Sequence, residues 1–361
     1  MTGFRLSRRA AIAGSLAGAT AASTRLRAQP ARAVTFFVVN NMFSTPAYVA
    51  AENGYWAQRG LDVKLRIVSS GREVTQALQA GEAQLGHVAF STTTAAARAS
   101  GNLIKGVMPY YNAADYIGRA GAIGVIGRRD RGIDPADPKS LYGKTVALLT
   151  GSIVEVYLKE WIRKSGLDAS RIKLVSVPVE NMPVTIAQGL VDAVCPWEPY
   201  TSQVVRELGA NGAVLSRGAA GVISAVLGAC ANEAWIARNT DNVIDFATGL
   251  AEAAQFVRKN PKDTAEILTR YLDGLNVGDA ANGLTFGNWD TRLSVCTIQG
   301  LLETGNAMAA SGLIKVSRPF VATDFYDPAV LDRVMAKSPE LFADLPPLPA
   351  NLAACKGALS T

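Results

Sequence analysis

The chain has 361 residues, 49% of them hydrophobic and 18% charged, with a net charge of +6 and a single histidine. That length exceeds what one core usually serves, so two lobes are expected, and one histidine excludes a His-rich metal site. The positive excess is local: six arginines and no acid fall in the first 33 residues, and without them bases and acids balance. Net charge therefore gives no reason to infer nucleic-acid or membrane-surface binding.

Residues 1–33 read as a targeting segment. Ser7-Arg8-Arg9 is a twin arginine, the run Ala10 to Ala22 is small and apolar, and Ala31-Arg32-Ala33 suits signal-peptidase cleavage. The run is too short and too rich in Ala and Gly to span a bilayer. A Tat-like leader is the expectation. Ala11 stands where that motif prefers a bulky apolar residue, which leaves ordinary Sec export open. No later apolar segment reaches the ~18 uninterrupted residues of a membrane span, so the exported product is expected to be soluble and periplasmic.

In the first lobe, Val34 to Val39 reads as a buried strand, and Thr45-Pro46 as the N-cap and first residue of a helix running to about Asn53. Leu61 to Val68 is the next strand, with Ser69-Ser70-Gly71 opening a helix after it. Gln84 to Ala89 is a third, followed by Phe90-Ser91-Thr92-Thr93. Three strand-to-helix turns thus carry Ser or Thr, a recurrent setting for polar or anionic groups held by free N–H donors. Ile104 to Tyr111 is another strand and Ala122 to Arg128 a crossing one.

Lys144 to Leu149 opens the second lobe, and Gly151-Ser152 starts an amphipathic helix, Ile153 to Lys164. Ser152 thereby holds the place of Ser44-Thr45 in the first lobe. Lys173 to Val177 is a strand, Asn181 precedes a helix begun by Pro183, and Val191 to Cys195 is a buried strand stopped by Pro196 and Pro199. Trp197, Glu198 and Tyr200 stand at that strand end, where open α/β sheets bind ligands. Val222 to Cys230 reads as a return strand and Thr240 to Lys259 as a long helix. The rest, to about Leu341, is mostly helical. Gly60-Leu-Asp62 with Gly81, and Gly166-Leu-Asp168 with Gly189, mark one βαβ unit used twice. The divisions are 34–125 and 222–361 for the first lobe and 126–221 for the second.

Four further stretches carry a resemblance: Pro46-Ala-Tyr-Val-Ala-Ala-Glu-Asn-Gly-Tyr-Trp56 with Gly60-Leu-Asp-Val63; Ala77-Leu-Gln-Ala-Gly81; Leu141-Tyr-Gly-Lys-Thr-Val146 with Gly151-Ser152; and Ala187-Gln-Gly-Leu-Val-Asp-Ala193 with Trp197-Glu-Pro199. In their order and spacing the chain resembles the substrate-binding proteins of ABC importers in the nitrate/sulfonate/taurine family. The likeness implies the type II periplasmic-binding-protein fold: two α/β lobes, each a mixed sheet flanked by helices, closing on a small ligand. Gln84 departs from the family's usual acid, which Asp192 supplies in the second copy; that acid is structural rather than ligand-binding. Binding proteins for thiamine pyrimidine precursors, and a eukaryotic thiamine-pyrimidine synthase, belong to the same superfamily.

Enzyme readings find little support. His87 lies within a buried strand pattern and reads as a core residue with satisfied hydrogen bonds. No nucleophile elbow accompanies it, Cys195 is poorly placed for an activated thiolate, and no dinucleotide-type Gly-rich loop is present. The synthase reading needs a cysteine and histidine metal set that this sequence lacks. Cys195, Cys230, Cys296 and Cys355 allow three pairings, and buried free thiols are equally open.

The expectation is a monomeric, non-catalytic receptor without cofactor or metal, delivering a small organic anion of sulfonate or carboxylate type to an ABC permease. Its site residues are Ser44, Thr45, Phe90, Ser91, Thr92, Ser152, Asn181, Trp197 and Glu198. Trp197 is either a ligand contact or a filler of the seam between lobes. Glu198 either faces the cleft, which would suit a heteroaromatic amine such as a thiamine pyrimidine precursor, or caps the helix after it.

Overall fold

The computed structural model describes residues 32–112, 121–218 and 221–355. The first strand, β1 (Arg32–Val39), leads through a single 3₁₀ turn into α1 (Thr45–Glu52). There follow β2 (Leu61–Val68), α2 (Gly71–Ala80), β3 (Leu85–Ala89), α3 (Thr93–Ala99) and β4 (Ile104–Asn112). The second part runs β5 (Gly124–Arg128), β6 (Thr145–Leu148), α4 (Ile153–Lys164), β7 (Lys173–Ser176), α5 (Met182–Ala187), β8 (Ala193–Val194), α6 (Tyr200–Leu208) and β9 (Gly212–Arg217). Then β10 (Val226–Asn232) returns to the first sheet. It is followed by α7 (Glu233–Arg238), α8 (Thr240–Lys259), α9 (Pro261–Tyr271), α10 (Val277–Leu284), α11 (Val295–Ala310) and α12 (Pro328–Lys337).

Two five-stranded sheets result, ordered β2-β1-β3-β10-β4 and β7-β6-β8-β5-β9. In each, three strands are mutually parallel around a central one (β1 between β2 and β3; β6 between β7 and β8), and a strand from the other end of the lobe runs antiparallel beside the last of them: β10 beside β3, and β5 beside β8. The repeated unit expected from Gly60/Gly81 and Gly166/Gly189 is visible down to one hydrogen-bond pair. Gln84 Oε1 accepts from the Thr35 N–H at 2.8 Å while the Gln84 N–H donates to the Thr35 carbonyl. Asp192 does the same with Thr145: its Oδ2 accepts at 2.8 Å and its N–H donates to the carbonyl. Each side chain anchors the start of its third strand to the first, so amide and carboxylate are interchangeable here.

Several boundaries differ from the sequence expectation. Thr45 is the first helical residue rather than the cap. Asn41 takes the capping role one turn earlier, its side chain accepting from the Ser44 N–H at 3.1 Å. The expected strand Val191 to Cys195 is only two residues long, because Pro196 ends the ladder. Strand β9 was not foreseen: it is a short edge strand beside β5. The expected end of the leader, at Ala33, falls inside β1. Arg32 pairs with Leu61 across the sheet, and its guanidinium holds Asp245, Asn242 and the Arg59 carbonyl. The twin arginine and the rest of the leader lie outside the described residues.

The C-terminal helices lie against both lobes. Trp56 stacks on Phe246 of α8, and its indole N–H donates to the Phe246 carbonyl at 3.0 Å. Cys296 and Cys355 form a disulfide joining α11 to the tail, while Cys195 and Cys230 are buried free thiols whose ionisation burial opposes. No helix among the described residues is long and apolar enough to cross a membrane.

Candidate functional site

The helices α2, α3 and α4, which follow the parallel strands β2, β3 and β6, begin beside one space between the lobes. At one point the lobes touch: the Met42 N–H, in the turn after β1, donates to the Glu198 carbonyl at 3.3 Å, in the turn after β8. Nearby, a cavity of about 560 Å³ is walled by α2 and α3 from the first lobe and by Thr150, Gly151, Ser152 and Glu155 from the second.

Four groups give this cavity its character. Thr92, only 3% exposed, has a hydroxyl with no hydrogen-bond partner, which costs about 1–3 kcal/mol unless something fills the vacancy. Ser152 is the N-cap residue of α4, and its own hydroxyl donates to the Leu149 carbonyl at 2.7 Å. Arg72, on the first turn of α2, lines the cavity, and its guanidinium has no hydrogen-bonded or ion-paired partner among the described residues. Gly151 lets it approach. Its φ of +78° is in the left-handed region, and a Cβ there would stand 3.2 Å from Arg72 Nε.

Glu155 completes the mouth. Burial opposes its ionisation, but the Gly151 N–H at 2.6 Å and Lys159 at 2.7 Å outweigh it and hold the carboxyl below its usual range, with Arg72 adding to the effect. Lys159 thus neutralises Glu155, and the Arg72 charge is left in excess. The site presents an unpaired guanidinium and an unpaired hydroxyl where two lobes meet, which suits an anion.

The expected residues fall into three groups. Thr92 and Ser152, from opposite lobes, come together in the cavity. Ser44, Thr45 and Ser91 are fully buried, and each hydroxyl donates to a main-chain carbonyl: Val39 at 2.8 Å, Met42 at 2.6 Å and Ser224 at 2.6 Å. They fix turns rather than present donors. Phe90 is also fully buried, its ring packed where a Cβ on Gly106 would be. Asn181 is exposed at the start of α5.

Trp197 is 3% exposed, its backbone bridged to Ile123 and its indole N–H without a partner. Asn40, at the end of β1, likewise has an unpartnered, buried side-chain oxygen. Glu198 is 1% exposed and committed internally. It accepts from the Ser202 N–H at 3.2 Å and hydroxyl at 3.0 Å, and forms an ion pair with Arg217. Burial raises its pKa despite these partners. Ser202 also accepts from Asn282 of α10 at 3.0 Å, and Arg217 lies 4.0 Å over the Phe286 ring.

His87 is not the fully satisfied core residue expected. Its Nδ1 meets the Tyr110 hydroxyl, but Nε2 is buried without a partner, and burial drives its pKa down to about 3. A neutral imidazole enclosed in β3, it does not line this cavity.

Sequence reasoning missed Arg72 and Glu155. Arg72 had one available signal: a cation in the first turn of a helix opposes the helix dipole, so its presence at the second position of α2 calls for another cause.

Fold and site together define a two-lobed α/β protein of the periplasmic-binding-protein type. Solved structures share that fold. The alkanesulfonate-binding protein SsuA of Xanthomonas axonopodis pv. citri, bound to MOPS, superposes with a TM-score of 0.68 at 19% identity, covering 82% of this chain and 98% of that one. The nitrate-binding protein NrtA of Synechocystis PCC 6803 gives 0.68 at 12% identity, covering 88% and 91%. A candidate binding protein of Brucella abortus is 23% identical over 233 residues, 62% of this chain and 66% of that protein, just under two thirds of its length. Residues 41–264 match the NMT1/THI5-like family, and the chain belongs to it.

Proposed function

We propose that this chain is an exported solute-binding receptor of an ABC importer, non-catalytic and monomeric, whose ligand is a small organic anion of the sulfonate or carboxylate type. One observation carries the reading: Arg72, an unpaired cation, shares a cavity with the unpartnered Thr92 hydroxyl and, from the other lobe, with the start of α4 at Ser152. A ligand touching both lobes favours the closed arrangement over the open one. The first lobe is taken as 32–123 with 222–361, since β1 begins at Arg32, and the second as 124–221, since Gly124 and Val125 belong to β5. Leader cleavage falls before Arg32, whose ion pair with Asp245 ties down the start of β1. The alkanesulfonate-binding and nitrate-binding proteins that share the fold agree with an anionic ligand.

The heteroaromatic-amine reading depended on a free carboxylate at Glu198. That carboxylate is engaged by Ser202 and Arg217, so the anion reading is preferred. Thermal unfolding in the presence of sulfonates, carboxylates, nitrate and aminopyrimidines tests the choice. A bound ligand at a hundred times its Kd stabilises by about 2.7 kcal/mol. Stabilisation by an acid, lost in Arg72→Ala, is expected; stabilisation by aminopyrimidines alone would overturn the assignment. N-terminal sequencing of the exported protein checks the cleavage site, and a start beyond Arg32 would contradict it.

A further inference from the structure

The cavity at Arg72 has a neighbour. A second one, of about 420 Å³, lies between α4 and α11. The two share three wall residues, Val156, Met308 and Leu313, so they adjoin across those apolar side chains.

Their charge differs. In the second cavity the cations are occupied: Lys159 by Glu155 at 2.7 Å, Arg163 by Glu160 at 2.5 Å, and Lys164 by the Gly221 carbonyl at 2.7 Å. Glu303 faces it with no cation partner among the described residues. An anionic group has nothing to gain there. The α11 wall is built of small or apolar residues, Gly300, Thr304, Ala307 and Met308, and leaves a groove. At 1.5 Å per helical residue, the α4 wall from Val156 to Lys164 is about 12 Å long and the α11 wall from Thr297 to Met308 about 16 Å. The unpaired Arg72 and the buried, unpartnered Thr92 hydroxyl mark one end of this space; the far end holds no free cation and, Glu303 apart, is apolar or neutralised.

We infer that the ligand is an amphiphilic anion longer than the first cavity: an acid head held at Arg72 and Thr92, and an uncharged, largely apolar body laid past Val156 and Met308 into the α4–α11 groove. The inference rests on the anion reading above for its head group. It adds the tail, its path and a dependence on chain length.

The test is calorimetric titration of the purified protein with acetate, butyrate, hexanoate, octanoate and decanoate, and with the matching alkane sulfonates. Within each series Kd is expected to fall about fourfold per added methylene while the groove fills, which is about 0.8 kcal/mol per buried CH₂. Ala307→Phe places a ring in the groove. It is expected to flatten that gain and leave the shortest acids unchanged; Ala307→Leu serves if the larger side chain prevents folding. Binding that requires Arg72 but ignores chain length would overturn the tail assignment and leave the head. A chain-length gain undiminished in the folded groove variants would place the tail elsewhere and overturn the path. No Arg72-dependent binding by any acid would overturn the head reading, and the tail with it.

Discussion

Glu198 and Thr92 are both nearly fully buried polar residues at strand ends where the lobes meet, yet their surroundings are opposite. The Glu198 carboxylate itself is answered: Ser202 and Arg217 satisfy it, Asn282 donates to Ser202, and Phe286 covers Arg217. Around Thr92 the groups are left open, with its hydroxyl unpartnered and the Arg72 guanidinium unpaired. A closed network spends its hydrogen-bonding capacity within the protein and stabilises one arrangement. An open one leaves capacity for something that is not protein. Burial is alike in the two places; satisfaction separates them.

Substitutions sharpen the contrast in a definite order. Glu198→Ala removes one partner of a buried pair and leaves Arg217 uncompensated, which costs about 3–5 kcal/mol. Denaturant unfolding reads this, and acid binding by the remaining folded protein is expected to change little. Cys355→Ser opens the link from α11 to the tail and is expected to lower stability by about 2–4 kcal/mol, again by denaturant unfolding. A loss as large from Arg72→Ala would break the comparison. That variant is expected to leave stability unchanged and to weaken acid binding by about 1.5–3 kcal/mol, the range for hydrogen bonds to charged groups. Thr92→Val is expected to cost about 1 kcal/mol in binding and nothing in folding, because the hydroxyl it removes has no partner to lose.

The smallest effect is one of pH. Arg258 holds the Asp344 carboxyl down to about 2, below the ordinary 3.8, through a bidentate pair at 2.7 and 2.8 Å. A depressed carboxyl adds stability above its unfolded pKa, and that stability fades as pH falls from about 3.8 toward 2. Asp344→Asn is expected to flatten this part of the stability profile while leaving acid binding at neutral pH unchanged. Chemical denaturation across that range checks both signs.

Much of this architecture was legible because its signals are local. Caps, prolines and left-handed glycines such as Gly60, Gly81, Gly166 and Gly189 punctuate the strands and helices, and the repeat they mark appears as matched sheets. Strand β9 escaped because Gly212 to Arg217 lies at the sheet edge and has no alternating buried face. The polar turns were legible as turns, but their roles were not. Ser44, Thr45 and Ser91 find main-chain carbonyls in their own turn or on the return segment, and no spacing distinguishes them from Thr92, which finds none. Arg72 owes its position to a glycine on the opposite lobe, and the groove beyond it to α11, so neither is visible from its own stretch of chain.

Native mass spectrometry of the protein as purified tests the central claim most directly. The account predicts that the wild-type chain carries a small compound, that the compound released on denaturation is an acid, and that Arg72→Ala emerges without it while Glu198→Ala, where folded, retains it. A released compound with no acidic group, or one held equally well by Arg72→Ala, would contradict the account.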